Sequence, residues 1–320
     1  MRKLIHGGTI VNEGQSFNGA IVIEDNRIAA IIPENEAPRS NFDEIIDATG
    51  CFVIPGVIDT HVHFREPGME DKANIESESR AAAYGGVTSF CEMPNTNPQT
   101  TTIDALNDKF ERAKRSSHIN YSFFFGATNT NSETIKQLDK HLVPAVKLFM
   151  GASTGNMLVD RRNALESIFA TAAAEGLPVM THCEDSGIIN ENMKAAKARY
   201  GDDPDISHHY EIRSEKACCK SSQLAVELAL KHKTRLHIAH LSTARELDLL
   251  RQPHVKDFVT MEAVIAHLYF TNDDYATKRA LIKCNPSVKT AHDRAELRRA
   301  LADGRITTVA TDHAPHHLSQ

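Results

Sequence analysis

The stretch Cys51-Phe52-Val53-Ile54-Pro55-Gly56-Val57-Ile58-Asp59-Thr60-His61-Val62-His63-Phe64-Arg65 decides the fold. The apolar run Cys51–Ile58 reads as a strand, and polar residues follow it at alternate positions. Residues two apart on an extended chain point the same way. His61 and His63 therefore aim both imidazoles at one point beyond the strand, and Arg65 continues the parity. Neutral imidazole is the commonest metal-ligating side chain. The stretch predicts a metal centre at a strand's C-terminal end, with a carboxylate-binding guanidinium beside it.

Downstream, short apolar strands alternate with charged, helical stretches. The predicted strands are Phe52–Ile58, Val87–Glu92, Asn120–Phe125, Ala145–Phe149, Pro178–Thr181, Arg235–Ala239, Phe258–Ala263 and Ile306–Ala310. Helical patterns between them include Asn74–Tyr84, Asp104–Ser116, Arg162–Glu175 and Ser221–Lys231. Eight such alternations predict an α/β protein built as a (β/α)8 TIM-type barrel, with its chemistry at the C-terminal strand ends.

Upstream the rhythm differs. Thr9–Val11, Ala20–Glu24 and Arg27–Ile32 read as short strands separated by Asn-Glu-Gly, Asn-Gly and Asp-Asn turns. Residues 1–54 are thus predicted to form part of a small β domain, and residues 55–320 the barrel. The β unit is too short to make a stable sheet alone. No helical pattern follows the eighth strand before Gln320. The expectation is that a C-terminal segment absent from this sequence adds a helix and further strands, completing a small β-sandwich.

Bulk properties narrow the function. The chain has 320 residues, 41% of them hydrophobic, and a formal charge of −6. With no basic block, nucleic-acid and membrane-surface roles are disfavoured. An anionic substrate would need a local positive pocket. No apolar run suits a signal peptide or a membrane span. Six cysteines are scattered without a C-x-x-C pair, which points to reduced thiols and a cytoplasmic protein. Cys183 is expected to pack in the core.

Polar residues gather where the predicted strands end. Strand one ends in His61, His63 and Arg65, strand two in Glu92-Met93-Pro94-Asn95-Thr96, strand five in His182 and strand six in His240. Strand eight ends in Asp312-His313-Ala314-Pro315-His316. A single histidine there is usually structural, and a single aspartate is often a helix cap. Their joint occurrence on four strands makes a ligand set for divalent metal, with donors suited to Zn²⁺.

Lys147 lies inside the apolar strand Ala145-Val146-Lys147-Leu148-Phe149. Desolvating an ammonium is costly. Either a carboxylate pairs with it, or it snorkels outward, or burial lowers its pKa and the free amine takes up CO₂. The last reading yields an anionic two-oxygen bridge, an N6-carboxylysine. It accounts for the whole set: His61, His63 and Asp312 on one ion, His182 and His240 on the other, and carboxylated Lys147 between them. Such a centre activates water and polarises a carbonyl. Asp312 can then pass the water's proton to a leaving nitrogen. The reaction class is hydrolysis, or its reversal, at an amide-like carbon.

Arg65, Asn95, Asn285 and His316 are the candidate substrate-binding residues. Arg65 offers two parallel donors to a carboxylate. Asn95 and Asn285 have an equal reading as turn residues, and Arg65 and His316 as rim ion-pair partners.

Three segments together resemble the class I dihydroorotases of the amidohydrolase superfamily. They are Pro55-Gly56-Val57-Ile58-Asp59-Thr60-His61-Val62-His63-Phe64-Arg65-Glu66-Pro67-Gly68, Glu92-Met93-Pro94-Asn95-Thr96 and Ala310-Thr311-Asp312-His313-Ala314-Pro315-His316. The similarity runs through the whole chain. It implies reversible cyclisation of N-carbamoyl-L-aspartate to dihydroorotate in pyrimidine biosynthesis. It also implies two zinc ions on the matching histidines, lysine and aspartate. Arg65, Asn95 and His316 match the family's ligands for the substrate α-carboxylate, and Asn285 matches its Asn-Pro loop after strand seven. Some relatives are homodimers, so the resemblance leaves a homodimer open. Many relatives carry Pro-His-His where this chain has Ile265-Ala266-His267, which puts a role for His267 in doubt. The Gly-rich loop Gly151–Met157 could cover the site.

The nearest alternatives are allantoinase, hydantoinase and dihydropyrimidinase. A hydantoin without a carboxylate has no need of Arg65, and allantoinases typically carry Asn there. A non-catalytic relative serving as a partner subunit would have lost ligands, and this chain keeps them all.

Overall fold

The computed structural model describes residues 1–38, 40–151 and 157–319. Of the Gly151–Met157 loop, all but the two end residues lie outside the described residues. The chain forms two compact units, Met1–Val57 and Ile58–Gln320.

The first unit is a five-stranded sheet. Strands β1 (Arg2–Asn12), β2 (Gln15–Glu24) and β3 (Arg27–Pro33) form an antiparallel meander. Strands β4 (Glu44–Asp47) and β5 (Phe52–Val53) pair parallel to successive parts of β1. Glu13 and Gly14 both have positive φ, the combination a two-residue hairpin loop demands. Leu4, Ala20 and Val22 make the small core. Asn18-Gly19 is not the predicted turn: it lies inside β2, where Gly19 pairs with Gly8. A Cβ on Gly19 would sit 2.8 Å from the Ile32 carbonyl, so this glycine serves close approach between strands.

The second unit is the (β/α)8 barrel. Its strands are β6 (Val57–Val62), β7 (Val87–Glu92), a third broken into β8 (Asn120–Phe123) and β9 (Phe125–Gly126), then β10 (Val146–Phe149), β11 (Val179–His182), β12 (Leu236–Ile238), β13 (Val259–Val264) and β14 (Thr308–Ala310). They run parallel in chain order as β6-β7-β8 and β9-β10-β11-β12-β13-β14. A parallel bridge between Val62 and His313 joins the first strand to the last.

The predicted first strand, Phe52–Ile58, is wrong in its boundaries. Phe52–Val53 pair with Thr9–Ile10 of the first unit, and the barrel strand starts only at Val57. Pro55 and Gly56 separate them; proline has no N–H to give a ladder, and glycine resists none of the bending.

The principal helices are α1 (Ile75–Tyr84), α2 (Ile103–Ser116), α3 (Arg162–Glu175), α4 (Ser186–Tyr200), α5 (Glu215–His232) and α6 (Ala291–Ala302). Local chemistry fixes several ends. Asn74 and Thr290 form capping boxes with Ser77 and Asp293. Gly176 ends α3 at φ 69°. The predicted Ser221–Lys231 is only the later part of α5. Ile168, Phe169 and Ala172 of α3 and Ala225, Val226 and Leu228 of α5 join Val146, Leu148, Leu236 and Met261 in one core. Cys183 is in it too, its thiol 3.1 Å from Thr181 Oγ1. The six cysteines are all free. No described helix is long and apolar enough to cross a membrane.

Candidate metal centre

A cavity of ≈ 330 Å³ opens at the C-terminal strand ends. His61, His63, Arg65, Asn95, Lys147, His182, His240, Asn285, Asp312 and His316 all line it, with Phe149, Lys283, Cys284 and Ala314. The structure thus brings together every candidate metal ligand and substrate-binding residue singled out from the sequence.

Hydrogen bonds fix which atoms face the cavity. His61 Nδ1 donates to Glu262 Oε1 at 2.8 Å, and His63 Nδ1 donates to Asn95 Oδ1 at 2.9 Å. Both Nε2 atoms then lie near one carboxylate oxygen, Asp312 Oδ1, at 3.2 Å and 3.0 Å. One ligand atom from each of these three residues lies within 4.8 Å of the others. Burial lowers the His63 pKa to about 4, against the pull of Asp312, so its ring is neutral near pH 7. Burial would raise the Asp312 pKa, yet His61 and His63 bring it well below the usual range. A lone pair and an anionic oxygen therefore meet with no proton between them. A cation fits there, and the nitrogen and oxygen donors suit a divalent metal.

On the other side, His182 gives Nε2 to Glu184 at 2.9 Å and turns Nδ1 toward His240 Nε2, 3.1 Å away. Arg213 pairs with the same Glu184 oxygen. Burial opposes ionisation of Glu184, but His182 and Arg213 bring its pKa down to about 2. Burial holds the His182 and His240 pKa values below normal, keeping both rings neutral as ligands must be.

Lys147 on β10 is fully buried, and its Nζ has no hydrogen-bond partner among the described residues. Burial lowers its pKa to about 8, although Glu262 and Asp312 oppose this. Neither a paired nor a snorkelling lysine matches that position. An amine that is partly neutral, buried and orphaned fits the carbamate reading.

Three site residues hold left-handed backbone without being glycine: Arg65 at φ 72°, His240 at φ 38° and Asp312 at φ 52°. Such conformations persist only where neighbours enforce them. The His240 N–H donates to Glu262 Oε1 at 3.0 Å, and Arg65 Nε donates to the Pro315 carbonyl at 3.0 Å.

Arg65 is 7% exposed. Among the described residues no carboxylate forms an ion pair with its guanidinium. Asn285 and His316 lie on exposed loops; Asn285 Oδ1 takes a contact from His209 Nε2, and His316 Nδ1 lies 3.4 Å from Lys72 Nζ. His267 Nε2 lies 2.9 Å from the Pro286 carbonyl, so it braces the Asn285 loop.

Several supporting residues were missed from the sequence. Glu262 and Glu184 back the ligands, and Asp59 ties strand one to strand eight through Thr311 Oγ1 at 2.6 Å. Glu262 stands in the apolar strand Val-Thr-Met-Glu-Ala-Val, the same signal that exposed Lys147.

A barrel with this constellation at its C-terminal mouth defines a metal-dependent hydrolase. The Amidohydrolase family profile matches residues 52–319, and the chain belongs to that family. Its relatives act on cyclic amides, and so does this chain, on a small-molecule substrate. It is 32% identical to a dihydroorotase of Lactobacillus helveticus, over 99% of this chain and 72% of that protein. It is also 32% identical to an allantoinase of Bacillus velezensis, over 99% and 69%. An L-hydantoinase (dihydropyrimidinase) of Arthrobacter aurescens superposes with a TM-score of 0.93 at 27% identity, over 99% of this chain and 70% of that one.

Proposed function

We propose that this protein is a dihydroorotase, interconverting dihydroorotate and N-carbamoyl-L-aspartate. The observation that carries the reading is Arg65: a buried guanidinium in the cavity wall that forms no ion pair with a carboxylate among the described residues, Asp312 and Glu92 acting on it only from beyond ion-pair distance. Burying an unpaired charge is costly, so the site is built for an anionic ligand. Dihydroorotate carries a carboxylate on its ring.

His61, His63 and Asp312 would hold one divalent ion, and His182 and His240 a second, with carboxylated Lys147 between them. Zinc best suits these donors. When bound, the ions supply polarisation of the scissile carbonyl and an activated water. The chain's own groups do the rest. Asp312 Oδ1 faces both imidazoles, so Oδ2 takes the proton and returns it to the leaving ring nitrogen. In the synthetic direction the same oxygen removes a proton from the carbamoyl nitrogen. Arg65 orients the substrate through its carboxylate with its two terminal nitrogens, since Nε is spent on Pro315. Asn95 has its oxygen on His63, so its contribution to substrate is a donation from Nδ2. His316 and Asn285 close the polar rim.

The similarity to an allantoinase and to an L-hydantoinase supports a second reading, hydrolysis of a ring without a carboxylate. Turnover of dihydroorotate, allantoin and hydantoin, measured side by side with metal analysis, separates the two. Preference for either uncharged ring would reject the dihydroorotase reading.

A further inference from the structure

His209 lies in the short helical turn His209–Ile212, between α4 and α5. Its Nε2 is 3.1 Å from the Cys284 carbonyl and 3.1 Å from Asn285 Oδ1. A carbonyl only accepts, so Nε2 carries the hydrogen. An amide nitrogen of Asn285 in the same place would set donor against donor. His209 therefore decides which end of the Asn285 amide faces it. It takes the oxygen and leaves Nδ2 as the group that Asn285 can offer within the cavity it lines. That end suits the carbonyl and carboxylate oxygens of the substrate. The hydrogen on Nε2 is present in both the neutral and the cationic ring.

The same turn is anchored toward the metal centre. Arg213, the residue that follows it, pairs with Glu184 behind His182. Its carbonyl accepts from Ser287 Oγ at 3.0 Å. Residues 284–287 are thus held to 209–213 at two points, while His267 braces Pro286.

We infer that His209 is a positioning residue for substrate recognition, fixing Asn285 as a hydrogen-bond donor to an acceptor oxygen of the cyclic amide. The inference rests on the proposed reading of the cavity as a substrate site.

Steady-state kinetics on dihydroorotate, with metal content, test it in the wild type, His209→Ala, His209→Gln, Asn285→Ala and the double variant. His209→Ala should raise KM about tenfold, the worth of one hydrogen bond, with kcat and bound metal within about twofold of wild type. His209→Gln keeps a donor and should recover most of the loss. The double variant should be no worse than Asn285→Ala, since the two act as a unit. An unchanged KM in His209→Ala, or additive effects in the double variant, would overturn the inference. So would a joint fall in kcat and metal that Gln does not relieve, which marks a purely structural residue. If the wild type hydrolyses hydantoin or allantoin instead, the substrate reading fails, and the same cycle on that ring decides the role of His209.

Discussion

The floor and the rim of the cavity are built differently. On the floor, His61, His182 and Lys147 belong to strands, His240 lies two residues past the end of one, and each is buried. Carboxylates behind them, Glu262 and Glu184, are themselves fully buried. At the rim, Asn285 and His316 sit on exposed loops. Arg65 stands between the two, buried like the floor but loop-borne. On the proposed reading the difference teaches a division of labour: the strands fix the reaction class and the loops choose the ring. The names of the similar proteins divide in the same way, among dihydroorotase, allantoinase and hydantoinase.

Substitutions on the floor should stop chemistry, and those at the rim should change substrate use. Asp312→Asn should lower turnover about a thousandfold in both directions while keeping part of the metal; retained activity would remove Asp312 as the proton carrier. Lys147→Ala should cost about a hundredfold or more, partly restored by short carboxylic acids that stand in for the carbamate. A fully active variant would dismiss the bridge. The pH dependence has a definite sign. CO₂ adds only to the neutral amine, and the folded pKa of Lys147 is about 8. Reactivation of metal-stripped protein by metal and bicarbonate should therefore rise with pH through that value and fall below it.

Arg65→Ala sharpens the boundary between the regions. It should lower kcat/KM for dihydroorotate about a hundredfold, the worth of a charge-assisted pair, with metal content unchanged. Equal loss of metal would move Arg65 from substrate binding to the floor. The smallest change belongs to Glu262→Gln, which keeps an acceptor but loses the charge behind His61. Metal affinity read by competition with a chelator should weaken about tenfold. No change would reduce Glu262 to packing.

Much of this was readable in the sequence because the barrel places distant residues by a local rule. A polar residue at, or within two positions of, an apolar strand's C-terminal end can line the mouth whichever strand it belongs to, so His182, His240 and Asp312 could be gathered with His61 from position alone. The boundaries failed where one signal served two elements. Cys51–Ile58 is a single apolar run, yet it feeds both the first unit's sheet and the barrel. Asn18-Gly19 has turn chemistry but answers to crowding between β2 and β3. The supporting residues escaped for another reason. His209 and Arg213 act across long stretches of chain from Asn285 and Glu184, and neither spacing nor polarity marks such a pair. Glu262 was within reach, since a carboxylate in a buried strand carries the same desolvation cost as Lys147.

The left-handed backbone at Arg65, His240 and Asp312 has an engineering consequence. Each such residue stores about 1–3 kcal/mol, and glycine at any of the three would relax it. A search for heat-resistant variants that ignored activity would be drawn to these positions and would return inactive protein. The same stored energy means that the loops are already shaped before a ligand arrives, so little of a ligand's binding free energy is diverted into rearranging them.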